Sequence, residues 1–207
     1  EPIVVLYRDA HLLLVRKPHL LLSVPGRHPR NRDCLIARLR QSFPDARIVH
    51  RLDLDTSGIM VVALSRRAEA GLGRLFQERR VRKRYEAVVD GRVDEDSGSI
   101  DLPLARDSAH PPRQRVCPQH GRPALTHFQV LERLPGATRL ALRPVTGRSH
   151  QLRLHLAAVG HPIVGCDLYA PPAVRARASR LLLHATDLAF PHPVSGERLA
   201  RSCAPDF

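Results

Sequence analysis

Six consecutive apolar residues, Ile59-Met60-Val61-Val62-Ala63-Leu64, constrain this chain more than any other feature. The run is too short for a globular helix and carries no alternating polar residue. A strand of this kind must be covered on both faces. The chain therefore needs a sheet with cover on each side, and the flanking residues supply some of it. Ser65 is a suitable N-cap, and Ala68, Leu72, Leu75 and Phe76 follow at helical spacing. Gly71 and Gly73 lower the propensity of that helix, so packing has to hold it.

The rest of the chain is read by the same periodicities. Ile3–Tyr7 and Leu12–Arg16 form a pair of short strands turned at Arg8-Asp9-Ala10, and 18–33 is a loop rich in Pro, Gly, His and Arg. A short helix is expected from Cys34 to Phe43, ending before Pro44. Lys83–Val89 alternates as a strand and stops at Asp90-Gly91. Residues 91–125 are expected to be a long irregular excursion. Thr126–Leu134 and Thr138–Arg143 make a strand pair around Pro135-Gly136. Ser149–Val159 is a second helix with Leu152, Leu156 and Val159 on one stripe, stopped by Gly160. Leu181–Ala185 and Leu188–Phe190 close the chain as short strands. Strands outnumber helices without alternating regularly with them. The expected class is therefore mixed α/β (α+β), a mostly antiparallel sheet flanked by helices and loops, rather than a doubly wound fold.

Lys and Arg number 33 against 20 Asp and Glu, a formal charge of +13, in a chain of 207 residues. That excess points to a polyanionic partner. It is concentrated at Arg27, Arg30 and Arg32, at Arg79–Arg84, at Arg113, Arg115 and Arg122, and at Arg175, Arg177 and Arg180. Any one cluster is explained by a solvated surface; four together favour nucleic acid. Apolar runs such as 59–64 and 155–160 fall far short of a membrane span, and the N-terminus reads as no export signal, so a cytoplasmic protein is expected. The cysteines, Cys34, Cys117, Cys166 and Cys203, form no C-x-x-C pair. The twelve histidines include no H-E-x-x-H, so no metal or cofactor is expected.

Two polar segments sit beside strong structural elements. His50-Arg51-Leu52-Asp53-Leu54-Asp55-Thr56-Ser57-Gly58 precedes the buried strand, and Gly147-Arg148-Ser149-His150-Gln151-Leu152-Arg153 leads into the second helix. An arginine within a few ångströms holds an aspartate ionised, and an ionised, positioned carboxylate serves as nucleophile or base. By spacing alone, a structural ion pair with a Thr/Ser/Gly turn is the favoured reading.

His50–Gly58 matches the pattern H-R-L-D-x-x-T-S-G. It is followed in order by Lys83-Arg84-Tyr85 before a strand ending at Gly91, by Gly147–Arg153, and by Arg180-Leu181-Leu182-Leu183-His184-Ala185. With Leu22–Gly26, these segments resemble the A-type family of large-ribosomal-subunit pseudouridine synthases over nearly the whole chain. The likeness is greatest to the short members that modify both a 23S ribosomal RNA site and a tRNA anticodon stem-loop. The resemblance implies one catalytic domain over residues 1–207, without the S4-like RNA-binding domain of larger relatives. It implies isomerisation of uridine to pseudouridine in structured RNA, a reaction that needs no cofactor; nothing in the sequence demands more than a monomer.

Asp53 matches the family's catalytic aspartate. Attack on the nucleotide and removal of a ribose proton both fit it, and Asp55 falls at a variable position of the signature. Tyr85 matches the family's active-site tyrosine, whose ring can stack on the base and whose hydroxyl can help remove the C5 proton, although a tyrosine on a strand is more often core. Arg153 matches the arginine that pairs with the aspartate, and Arg148, nearer the loop, suits a phosphate contact. Leu182 or Leu183 would pack under the uracil, or simply belong to a core strand. The target uridine must leave its stack. Arg51 would fill the vacancy with its planar guanidinium, or anchor the loop to a carboxylate. Two other functions fit parts of the pattern: a noncatalytic RNA-binding or ribosome-assembly protein, and a metal-dependent nuclease using Asp53 and Asp55.

Overall fold

In the computed structural model, which describes residues 2–26, 28 and 32–207, the chain begins with β1 (Val4–Arg8), β2 (Leu12–Lys17), α1 (Leu35–Leu39) and β3 (Arg47–Ile48). It continues through β4 (Ser57–Ala63), α2 (Arg66–Gln77), β5 (Arg82–Asp90), β6 (Ser97–Asp101), β7 (Leu104–Arg106) and β8 (Gln114–Val116). The last elements are β9 (Leu125–Leu134), β10 (Ala137–Pro144), α3 (Gln151–Ala158), α4 (Pro172–Arg175), β11 (Leu183–Pro191) and β12 (Arg198–Ser202). Arg27 and Arg30 of the first basic cluster lie outside the described residues. The fold is mixed α/β with mostly antiparallel strand pairs. The chain divides into two compact units, the first running to Lys83 and taking up His184–Asp206, the second comprising Arg84–Leu183 with Phe207.

In the first unit the apolar run becomes β4, every residue of which is buried. Strand β2 covers one edge of it antiparallel, from Leu12 opposite Ala63 to Lys17 opposite Gly58. The other edge is shared: β11 pairs parallel at Ser57 and Gly58, and β3 antiparallel at Val62 and Ala63. Helix α2 starts where its cap requires, Ser65 Oγ accepting from the Ala68 N–H at 3.2 Å, and turns Ala68, Leu72 and Leu75 inward. Gly71 is packed tightly, since a Cβ there would lie 2.7 Å from the Cβ of Pro193.

The second unit is an antiparallel array in the order β5-β10-β9-β6, with β7 and β8 as a separate hairpin. Its core joins Ala87 and Val89 of β5, Leu140 and Leu142 of β10 and Leu152 and Leu156 of α3. Val159 does not share that stripe: it follows the helix and is 45% exposed. The expected irregular excursion instead contains β6, β7 and β8. Strand β6 is defined by a partner distant in sequence, with Ser97 opposite Gln129 and Asp101 opposite Leu125, so no local periodicity announces it.

The two short terminal strands are one, β11. Its polar interior is satisfied by Thr186 Oγ1 and Ser202 Oγ, each donating to the Asp187 carboxylate at 2.6 Å, while β12 pairs along it. Strand β12 itself buries only Leu199, too little for an apolar signal. The helix expected over 34–43 is regular only over Leu35–Leu39.

Candidate active site

The nine residues His50–Gly58 have little regular structure before β4, yet the first unit ties them down at almost every step. His50 Nε2 accepts the Val61 N–H at 3.0 Å, which places the ring proton on Nδ1, and the ring stacks on Phe76 at 4.7 Å. Burial, aided by the charge of Lys83, pushes the His50 pKa down to about 3, so the imidazole is neutral. Ser23 Oγ donates to the Leu52 carbonyl at 2.8 Å and receives the Leu52 N–H at 3.1 Å. Lys17, fully buried at the end of β2, donates its ammonium to Pro18 O, Leu21 O and Leu54 O at 2.8, 2.6 and 3.1 Å. The loop closes on itself where the Thr56 N–H meets Asp53 O at 3.2 Å.

Beyond the turn, Ser57 Oγ and His184 Nδ1 are 2.7 Å apart, both groups buried. Gly58 has φ of +120°, and a Cβ there would lie 2.2 Å from the carbonyl oxygen of Ala185. Only glycine lets the two strands meet this closely. The backbone on both sides of Asp53 is thus fixed. The Asp53 carboxylate is half-buried and, within its own unit, has no hydrogen-bond or ion-pair partner among the described residues. Arg51, two residues earlier, is exposed.

Arg51 and Asp53 stand in the first unit; Tyr85, Arg148, Arg153 and Leu182 stand in the second. Tyr85 lies on β5 opposite Leu142 of β10, half-buried against the apolar core. Leu182 packs on the same core, and its backbone links two segments: its N–H donates to Val164 O at 3.0 Å and its carbonyl accepts the Val88 N–H at 3.1 Å. Arg153, on α3, is 2% exposed. Its Nη2 donates to the Asp167 carboxylate and to Cys166 Sγ at 3.3 Å, and the guanidinium lies 5.7 Å from the centre of the Tyr169 ring. Tyr169 is held in turn, its hydroxyl accepting the Gln114 N–H and meeting His150 Nδ1, each at 2.8 Å.

The segment entering α3 is built as tightly as the aspartate loop. Buried Gln151 accepts from Thr146 Oγ1 and the Arg148 N–H and donates to Leu125 O and Thr126 Oγ1, so all its polar capacity is used. His155 Nε2 faces the Leu102 carbonyl at 3.0 Å and therefore carries the ring proton, leaving Nδ1 to accept from Thr126 Oγ1. Burial lowers its pKa as well. Arg148 Nε donates to Pro123 O at 3.0 Å, and the side chain is only half-buried.

Sequence reasoning missed Lys17, Asp167 and Tyr169. A lysine ending an apolar strand was the available signal for the first. Asp167 and Tyr169 follow Gly165 in a segment without periodicity. Among the described residues no three His, Cys, Asp or Glu side chains are grouped to hold a metal ion, and the four cysteines are free and buried. No helix is long and apolar enough to cross a membrane.

The RNA pseudouridylate synthase family model matches residues 11–158, a span that contains both the aspartate loop and α3. The chain belongs to this family, whose members isomerise uridine in RNA to pseudouridine. Among curated proteins it is similar to the dual-specificity RNA pseudouridine synthase RluA of Yersinia pestis, 49% identical over 205 residues and covering 99% of this chain and 100% of the relative. It is likewise similar to the protein of that name from Escherichia coli K12, 47% identical over 100% of this chain and 95% of the relative. Among solved structures, human RNA pseudouridylate synthase domain containing 1 superposes with a TM-score of 0.84 at 33% identity, covering 100% of this chain and 84% of its own. Human RNA pseudouridylate synthase domain containing 4, 24% identical with a TM-score of 0.78 over 98% and 89% of the two chains, shares the fold.

Proposed function

We propose that this synthase acts on uridines in structured RNA of two kinds, a 23S ribosomal RNA site and a tRNA anticodon stem-loop, as a monomer in the cytoplasm. The observation that carries the reading of the site is the contrast at Asp53, where the backbone is pinned on both sides and the carboxylate has no partner in its own unit among the described residues. A group left unengaged by a loop whose backbone is pinned on both sides of it is held for substrate. Asp53 is the reacting carboxylate. Tyr85 stacks on the target base, Arg153 is the buried cation of the reaction, Arg148 meets phosphate, and Leu182 packs against the uracil.

Arg51 takes the place of the uridine in the RNA stack, offsetting part of the few kcal/mol that flipping costs. In the reaction the bond from C1′ to N1 breaks, the uracil turns, and a bond from C1′ to C5 forms. C5 gives up its proton and N1 takes one, so the atoms balance with no cofactor.

The dual specificity is supported by the names of relatives at 46–50% identity across nearly the full chain. The test supplies ribosomal and tRNA stem-loops to the protein and to Asp53→Asn. Pseudouridine is expected in both RNAs with the unaltered protein and in neither with the variant, while RNA affinity stays within a few-fold. Activity that survives Asp53→Asn but is lost in Asp55→Asn would assign the chemistry to the other carboxylate. Product in one RNA only would refute dual specificity.

A further inference from the structure

Within the first unit, a groove of about 510 Å³ is lined by Arg79, Arg80, Arg82 and Arg198 together with the β11 residues Ala189, Phe190 and Pro191, of which Phe190 is buried. It lies far from the aspartate loop. Ala185 is the residue of β11 beside Gly58, and Pro191 is six residues further along that strand. At roughly 3.3 Å per residue the separation is about 20 Å. The arginines come from the end of α2, the start of β5 and the start of β12, so the groove is assembled by the fold.

Two observations show that this is more than a solvated face. First, no carboxylate lines the groove. Arg80 pairs with Glu78 at 3.3 Å, whereas Arg79, Arg82 and Arg198 have no ion-pair partner among the described residues. Like charges converging without a counter-charge repel one another and attract a polyanion. Second, α2 ends in a turn where the Arg79 N–H donates to Phe76 O at 3.2 Å and the Arg80 N–H to Leu75 O at 2.8 Å, with Arg79 at φ of +57°. Glycine is the usual residue at that position of a helix end, because a Cβ is disfavoured there. An arginine holds it here, placing a guanidinium at the groove against local backbone preference.

We propose that this groove binds the sugar–phosphate backbone of the substrate RNA about 20 Å from the isomerised uridine, phosphates on the arginines and ribose against the partly exposed Pro191. The proposal rests on the RNA-modifying activity above and adds a second point of grip to it. RNA is favoured over an acidic protein because the reaction already brings a polyphosphate to this unit. A contact at that distance enlists stem nucleotides without touching the reacting base.

The test uses the full chain and the double variant Arg79→Gly/Arg198→Gln, with two hairpins that share one target loop and differ in stem length. Glycine suits the positive φ, so thermal stability should hold or rise. On the long stem the variant should bind about tenfold more weakly at low salt. The slope of log affinity against log salt should fall by about 1–2, as expected for two lost phosphate contacts. On the short stem, affinity and turnover should match the parent. Equal losses on both stems, or an unchanged long-stem slope, would overturn the proposal. So would a variant that loses polyglutamate binding while RNA affinity is intact, which would assign the groove to an acidic protein. A parent protein that makes no pseudouridine in either hairpin would instead refute the activity itself.

Discussion

Replacing Lys17 by methionine isolates how the aspartate loop is held. The ammonium is fully buried and donates to three backbone carbonyls, those of Pro18, Leu21 and Leu54. Methionine preserves the length and the apolar stem and removes only the donor. Charge-assisted hydrogen bonds contribute roughly 1.5–3 kcal/mol each, so three of them amount to about 5–9 kcal/mol. Against this, the variant no longer buries an ammonium, which relieves several kcal/mol of desolvation. The net loss of stability should be about 2–4 kcal/mol. It should appear in urea unfolding as a lower midpoint with an unchanged slope.

The activity should fall further than stability alone explains. Leu54 is the residue after Asp53, and a carbonyl freed there loosens the carboxylate proposed to react. A misplacement of about 1 Å costs on the order of 100-fold in rate. Single-turnover pseudouridine formation, under conditions where the variant is fully folded, should therefore slow by roughly 10- to 100-fold with RNA affinity little changed. The exposed pair Arg38–Asp33, bidentate at 2.8 and 2.7 Å, gives the contrast: Arg38→Ala should cost under about 1 kcal/mol. A Lys17→Met protein with parental midpoint and parental rate would refute the idea that this lysine organises the loop.

Other outcomes follow from the same geometry. Gly58→Ala should destabilise by about 3–5 kcal/mol, because the Cβ meets Ala185 backbone at 2.2–2.8 Å and φ is positive; Gly73→Ala, with nothing within 4 Å on α2, should stabilise by about 0.5–1 kcal/mol. Thermal melts of the pair check both signs. His50 has a folded pKa of about 3, below its usual 6.5, so between these values the unfolded chain binds more protons than the folded one. Stability from this group is complete above about pH 6.5 and falls toward pH 3, by at most about 1.4 kcal/mol per pH unit. His50→Gln, which keeps an acceptor for the Val61 N–H, should flatten that dependence in unfolding measured across pH. Tyr85→Phe keeps the ring and removes the hydroxyl. On the proposed stacking role, the variant should retain RNA affinity and most of its rate, whereas Tyr85→Ala should lose both in the same assay.

Local sequence determined the parts whose signal lies within a few residues. The run at 59–64 had to be a buried strand because no exposed face could be drawn for it, and all of β4 is buried. Ser65 and the spacing of Ala68, Leu72 and Leu75 marked α2 through its cap and its one buried stripe. The loop around Asp53 was legible through its ordered motif, which marked the chain as a member of its family. Tertiary structure decided what depends on partners far along the chain. Strand β6 exists because β9 pairs with it, and β11 is continuous because Ser202 of β12 satisfies Asp187. Lys17 became a brace because the fold sets it 3.1 Å from the carbonyl of a residue 37 positions away. The +13 charge of the sequence indicated a polyanion without saying where it is gripped. Helix end, strand start and hairpin had to meet before arginines distant in sequence shared one groove, because hydrogen bonding and burial, unlike periodicity, are satisfied by whichever residues the fold brings within reach.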